Sequence, residues 1–144
     1  MRTGRDMEKY TIPLIPPSLN KYAGRENTWE YRNAKAEWRG IVCAYCRPKR
    51  PPPPFAHLRI TFYFADRRRH DADNYCKFLL DGLVSAGVIA DDDFAHVAYF
   101  VRGGVDKSNP RTEVLIDAVQ YTGKADAGTA RSGCQKQSGG GKDV

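Results

Sequence analysis

Long apolar runs are absent from this chain. No stretch approaches the roughly 20 residues a membrane-spanning helix needs, and mean hydropathy is −0.60. The opening MRTGRDMEKYTIPLIPP mixes charge with proline, so no secretion leader is read there and a cytosolic location is expected. Histidine is scarce, at three residues, and the four cysteines offer a single C-x-x-C, Cys43 and Cys46, with no second pair beside it. A structural zinc site needs four ligands within reach, which leaves helix packing as the expected role of that pair. A cytosolic setting would keep the thiols reduced. Acidic residues are also in deficit: 17 Asp and Glu stand against 23 Lys and Arg, giving a net charge of +6 and a pI near 9.2. That balance admits nucleic acid as a partner without demanding it. Part of the excess lies after Thr122, where Lys124, Arg131, Lys136 and Lys142 face only Asp126 and Asp143. The body is therefore mildly basic, and any anion binding there must come from local clustering.

What the chain does have is enough length, 144 residues, for one modest core. EKYTIPLIPPSLNKY reads as a strand ending at Pro16–Pro17, because proline cannot continue a central ladder. NAKAEWRGIVCAYCR reads as a helix, and PKRPPPPF as a stiff extended spacer. In HLRITFYFA, Leu58, Ile60, Phe62 and Phe64 alternate with Arg59, Thr61 and Tyr63, the pattern of a half-buried strand. NYCKFLLDGLVSAG places Tyr75, Phe78, Leu79, Leu83 and Ala86 on one helical stripe, with Asp73 suited to cap its start and Gly87 its stop. AHVAYFVR and RTEVLIDA read as two further strands joined by the turn-rich GGVDKSNP. The expected fold is α+β, a small mixed β-sheet with two main helices packed on it. Residues 1–121 would form the domain, and residues 122–144, nearly devoid of apolar side chains, a disordered tail.

The segment DRRRHDADNYCKFLLDGLVSAGVIADDD, residues 66–93, carries two opposed signals. Arg67, Arg68 and Arg69 suit a polyanion, yet Asp71 and Asp73 follow at once and Asp91, Asp92 and Asp93 close the segment. Converging carboxylates repel one another unless a proton or cation intervenes, and a hard divalent ion such as Mg²⁺ or Mn²⁺ resolves the conflict. A strand–helix–strand unit that returns beside its first strand is expected to bring the two acidic groups together at one sheet edge. Lys77, one turn beyond Asp73, shares a polar stripe with Asn74, Asp81 and Ser85. It suits either a role at a phosphate or a surface pair with Asp81. Taken singly, Asp73 also suits a helix cap, Asp91–Asp93 a turn and the arginines a solvated patch.

The same residues resemble the core motif of the RusA family of Holliday junction resolvases of phages and prophages. The family pattern D-x-D-N, then K, D and G-x-x-x-D-D, is met by Asp71, Asp73, Asn74, Lys77, Asp81, Gly87, Asp91 and Asp92. IPPSLNKY resembles the family's P-P-S-x-N, and the likeness runs through about residues 10–118. It implies a homodimeric, magnesium-dependent endonuclease that makes paired nicks in four-way DNA junctions during recombination and repair. By the same resemblance Asp71, Asp73 and Asp92 are the essential acids and metal ligands, with Asp91 as an alternate, and Lys77 is the catalytic lysine. Manganese would substitute for magnesium. Departures are Ala72 between the first two aspartates and the additional Asp93. Arg67, Arg68, Arg69 and Asn74, with Asn20, Lys21 and Arg25 as weaker candidates, are expected to contact DNA. A branched-DNA binder without catalysis, and a nuclease preferring flaps, are the competing readings.

Overall fold

The computed structural model describes residues 6–24 and 28–118, with side chains from Met7 to Asp117. In chain order these form β1 (Asp6–Ile12), a 3-10 turn (Leu19–Tyr22), α1 (Trp29–Tyr45), β2 (Ala56–Phe64), α2 (Asp73–Ser85), β3 (Val97–Val105) and β4 (Arg111–Ala118). The fold is α+β, as the sequence predicts. Alternation in β2 buries Ala56, Leu58, Ile60 and Phe62 and turns His57 and Arg59 outward. β4 answers with buried Thr112, Val114 and Ile116. The strands form one mixed sheet in the order β1-β4-β2-β3. β4 runs antiparallel to both β1 and β2, while β3 is parallel to β2, with Ala56 beside Val97 and Phe64 beside Val105.

One hydrophobic core joins the inward face of the sheet to both helices. Trp38 and Val42 come from α1, and Cys76, Phe78, Leu79, Leu80 and Leu83 from α2. The helices touch most closely at Gly82, where an added Cβ would lie 2.6 Å from Val42 Cγ2. Gly87 ends α2 in the left-handed region, φ +79°, and the Val88 amide donates back to the Leu83 carbonyl. The opposite face of the sheet, with Lys9, Arg59, Phe100, Arg102, Glu113 and Leu115, lines an open concavity. Near the start of the chain, the buried Thr112 hydroxyl donates to the Leu14 carbonyl at 2.7 Å, and Pro16 is fully buried.

Boundaries depart from the sequence reading for local reasons. β1 stops at Ile12, before Pro13, because proline has no amide to offer β4. The segment after it forms a 3-10 turn capped by the Ser18 side chain. α1 begins at Trp29, earlier than the apolar pattern suggests, because Thr28 caps it by accepting from the Tyr31 amide. β3 continues through Gly103–Gly104, which read as a turn in sequence but pair with Phe62 and Tyr63. The expected tail from Thr122 lies outside the described residues.

Candidate functional site

The loop after β2 is assembled around His70. Its ring lies flat on Phe64, centroids 3.9 Å apart and planes 5° apart. Its Nδ1 is 2.9 Å from the Tyr75 hydroxyl and its Nε2 3.2 Å from Asp66 Oδ1. Asp66 also accepts from the Arg68 amide at 3.0 Å and from Arg68 Nε at 3.2 Å. These contacts, the Arg68 amide first and His70 next, hold the Asp66 carboxyl below its ordinary range. So folded, the loop leaves Arg67, Arg68, Arg69, Asp71 and Asp73 exposed. Arg69 Nε lies 3.3 Å from Asp71 Oδ1.

Asp73 does not cap α2. The cap position falls to Ala72, whose backbone is helical at φ −57°, ψ −40° and which makes no side-chain cap hydrogen bond. Asp73 instead sits in the first turn, where the helix dipole favours its charge. Its carboxylate makes no hydrogen bond or ion pair among the described residues. Further along, Lys77 Nζ is 3.6 Å from Asp81 Oδ1, and Lys35 Nζ of α1 is 3.6 Å from Asp81 Oδ2. The surface pair foreseen for Lys77 is thus present, and Lys35 shares it. Asn20 and Lys21 lie on the 3-10 turn, whose Tyr22 packs edge-on against Phe78 of α2. Arg25 is outside the described residues.

The second acidic group forms a turn before β3. The Asp92 amide donates to Asp91 Oδ1 at 2.8 Å, and the Asp93 carbonyl accepts from the His96 and Val97 amides, both at 3.1 Å. The Asp93 carboxylate is hydrogen-bonded to His96 Nδ1. That contact raises the His96 pKa and lowers that of Asp93. Asp91, Asp93 and His96 each present a ligand atom within 4.8 Å of the others, a group able to hold a metal ion. Asp92, the expected ligand, is half-buried and stands outside that group, its charge felt at the Tyr99 hydroxyl. His96 was missed in sequence, and its only signal there is the Asp93-x-x-His96 spacing.

Within one chain the two groups do not converge. β2 and β3 are parallel, so α2 must run back between them. Asp71 and Asp73 lie at the carboxyl end of β2, and Asp91–Asp93 at the amino end of β3. The 13 residues of α2 separate them, a rise of about 20 Å at 1.5 Å per residue. Between them lie Cys76, its thiol raised by burial and by Asp73, and Tyr99, its hydroxyl raised by burial, Cys76 and Asp92. The expectation of convergence at one sheet edge is corrected here: a crossover helix delivers its two flanks to opposite ends.

The family model for endodeoxyribonuclease RusA matches residues 13–117. The chain belongs to the RusA endodeoxyribonuclease family. A search of curated proteins finds no match. The RusA match takes in the arginine loop, α2 and the aspartate turn, so every described candidate residue falls inside it. Membership makes the chain a DNA endonuclease by kind, a hydrolase of phosphodiesters. The donor chemistry agrees with a metal-dependent nuclease: Asp71, Asp73, Asp91 and Asp93 offer carboxylate oxygens suited to magnesium or manganese, with one imidazole beside them. No helix among the described residues is long and apolar enough to cross a membrane.

Proposed function

We propose that this RusA-family chain is a magnesium-dependent endonuclease that resolves four-way DNA junctions by paired nicks, acting as a homodimer in recombination and repair. The observation that carries the proposal is the unengaged Asp73 carboxylate at the head of α2, directly after three exposed arginines. A carboxylate with no structural partner, set beside a polyanion-binding loop, weakens DNA binding unless it does chemistry.

In this reading Asp71, Asp73 and Asp92, with Asp91 as an alternate, are the metal ligands, and manganese replaces magnesium. The ion lowers the pKa of water and offsets charge on the phosphate. Hydrolysis adds hydroxide to phosphorus and a proton to the leaving oxygen. Lys77, half-exposed and one turn from Asp73, places its ammonium toward the developing charge once DNA draws it from Asp81. Arg67, Arg68, Arg69, Asn74, Asn20 and Lys21 hold phosphates, which positions DNA without reading its sequence. A four-way junction has two-fold symmetry and needs two cuts, the geometry of an isologous dimer. We assign the nuclease to residues 1–121, with 122–144 as an appended tail, in the cytoplasm of a bacterial cell and from a phage or prophage.

The test offers labelled four-way junctions, flaps and linear duplex to the protein and to Asp73→Asn, with and without Mg²⁺. Symmetric, Mg²⁺-dependent nicks in the junction alone, lost in the variant, support the proposal. Binding without cleavage overturns it in favour of a pure junction binder, and cleavage of flaps in preference overturns the substrate.

A further inference from the structure

Two features stand unexplained by a single chain. The first is the split of the acidic groups between opposite ends of α2. The second is β3, an edge strand with no neighbour on its outer side among the described residues. Edge strands are ordinarily kept short, charged, kinked or interrupted by proline, since open backbone groups recruit other strands. β3 runs nine residues, VAYFVRGGV, with one charge and no proline. Exposed apolar side chains gather on and beside it: Phe94 at 99%, Phe100 at 62%, Val105 at 48% and Tyr99 at 46%. Tyr99 stands on the helix side of the sheet, paired with buried Leu58, and Phe100 on the open side, paired with Arg59. Both flanks of one edge are thus apolar, which suits continuation of the sheet rather than a ligand bound on one face.

We propose that two copies of this chain pair along β3, antiparallel about a two-fold axis, and that this pairing completes each active site from both protomers. The proposal rests on the nuclease reading above. Antiparallel pairing sets the amino end of β3 beside the carboxyl end of the partner's β3. Asp91–Asp93 of one protomer then come to the end of the joined sheet where Asp71 and Asp73 of the other stand. The charges complement each other there: Arg67, Arg68 and Arg69 share that end with the three aspartates of the partner's turn. The surplus carboxylates meet only in the dimer, so the dication site exists only in the dimer. Both α2 helices lie on the same face of the joined sheet, and the two sites sit at its two ends, related by symmetry as two cuts require.

A complementation experiment decides this. Asp71→Asn/Asp73→Asn and Asp91→Asn/Asp92→Asn/Asp93→Asn chains are co-expressed under different tags, and the mixed dimer is isolated by both tags. Each parent dimer should be inactive. The mixed dimer should nick junctions in Mg²⁺ at about half the wild-type rate, one of its two sites being wholly wild-type. Sites built within one chain would all be defective in the mixed dimer, and absence of nicking there, with active wild type, overturns the proposal. Sedimentation supplies a readout independent of cleavage. Wild type should run as a dimer, and Tyr99→Lys/Phe100→Lys as a monomer with an unchanged far-ultraviolet dichroism spectrum. A monomeric wild type, or a dimeric variant, overturns β3 as the interface. Wild type that sediments as a dimer but cuts no DNA would instead overturn the nuclease reading and leave the interface standing.

Discussion

At the carboxyl end of the parallel pair, His70 lies flat on Phe64 and is held at both ring nitrogens by Tyr75 and Asp66. At the amino end, Asp91–His96 are held by their own turn, through the Asp93 carbonyl and the Asp93–His96 contact. The first end spends an aromatic stack and a half-buried histidine on shaping a loop whose arginines and aspartates all face solvent. The second spends only local hydrogen bonds. Rigid support is concentrated where opposite charges must be displayed side by side, since an unsupported loop would let Arg67–Arg69 fold onto Asp71 and Asp73.

The largest effect expected from breaking this contrast falls on the unengaged carboxylate. Asp73→Asn should lower Mg²⁺-dependent cleavage at least about 100-fold, the scale of losing one preorganised electrostatic partner. Affinity for the junction by gel shift should hold or rise, because removing a negative charge near phosphate cannot weaken attraction. A matching loss of affinity would make the head of α2 structural. Next in size is the support itself. His70→Ala removes the stack and two partly buried hydrogen bonds, and urea unfolding should show a loss of about 1–3 kcal/mol. His96→Ala, at the exposed turn, should stay within about 0.5 kcal/mol of wild type. Equal losses would erase the difference between the two ends.

Acid provides a gentler probe. The Asp66 carboxyl is held below its ordinary value, so its contribution is full above that value and fades as pH falls through the lowered one. Wild type should therefore exceed Asp66→Asn in stability near neutrality, and the two should converge at the acid end of a pH series of urea titrations. The smallest expected effect reports on the seam between the ends. Burial pushes the Cys46 thiol up to about 12, and burial with the Asp73 charge raises Cys76. Mass-resolved alkylation at pH 8 should label Cys43 before either. Asp73→Asn should speed labelling of Cys76 while leaving Cys46 unchanged.

Much of the fold is legible in the residues because burial is regular. The two-residue alternation of Leu58, Ile60 and Phe62 and the helical stripe of Phe78, Leu79 and Leu83 each match a buried face. The signal fails where a local feature works against the pattern. Trp29 opens α1 while largely exposed, so the apolar stripe begins later than the helix. Gly103 and Gly104 look like a turn but extend an edge strand, where the missing side chains cost little packing. The membership of the site was legible, but its assembly was not. Asp71, Asp73 and Lys77 announce themselves by spacing, whereas their distance from Asp91–Asp93 depends on the direction of the crossover, which spacing does not encode. His70, His96 and Lys35 act through contacts with residues that single positions cannot foretell.

The first strand finds its only neighbour in the last. β1 pairs solely with β4, and Thr112 fastens Leu14 across 98 positions of sequence. As the polypeptide leaves the ribosome, its beginning has nothing to dock against until nearly the whole catalytic region has emerged. Truncated products therefore cannot close the sheet, and a nuclease that acquires its architecture only on completion exposes the cell to no half-made cutting activity.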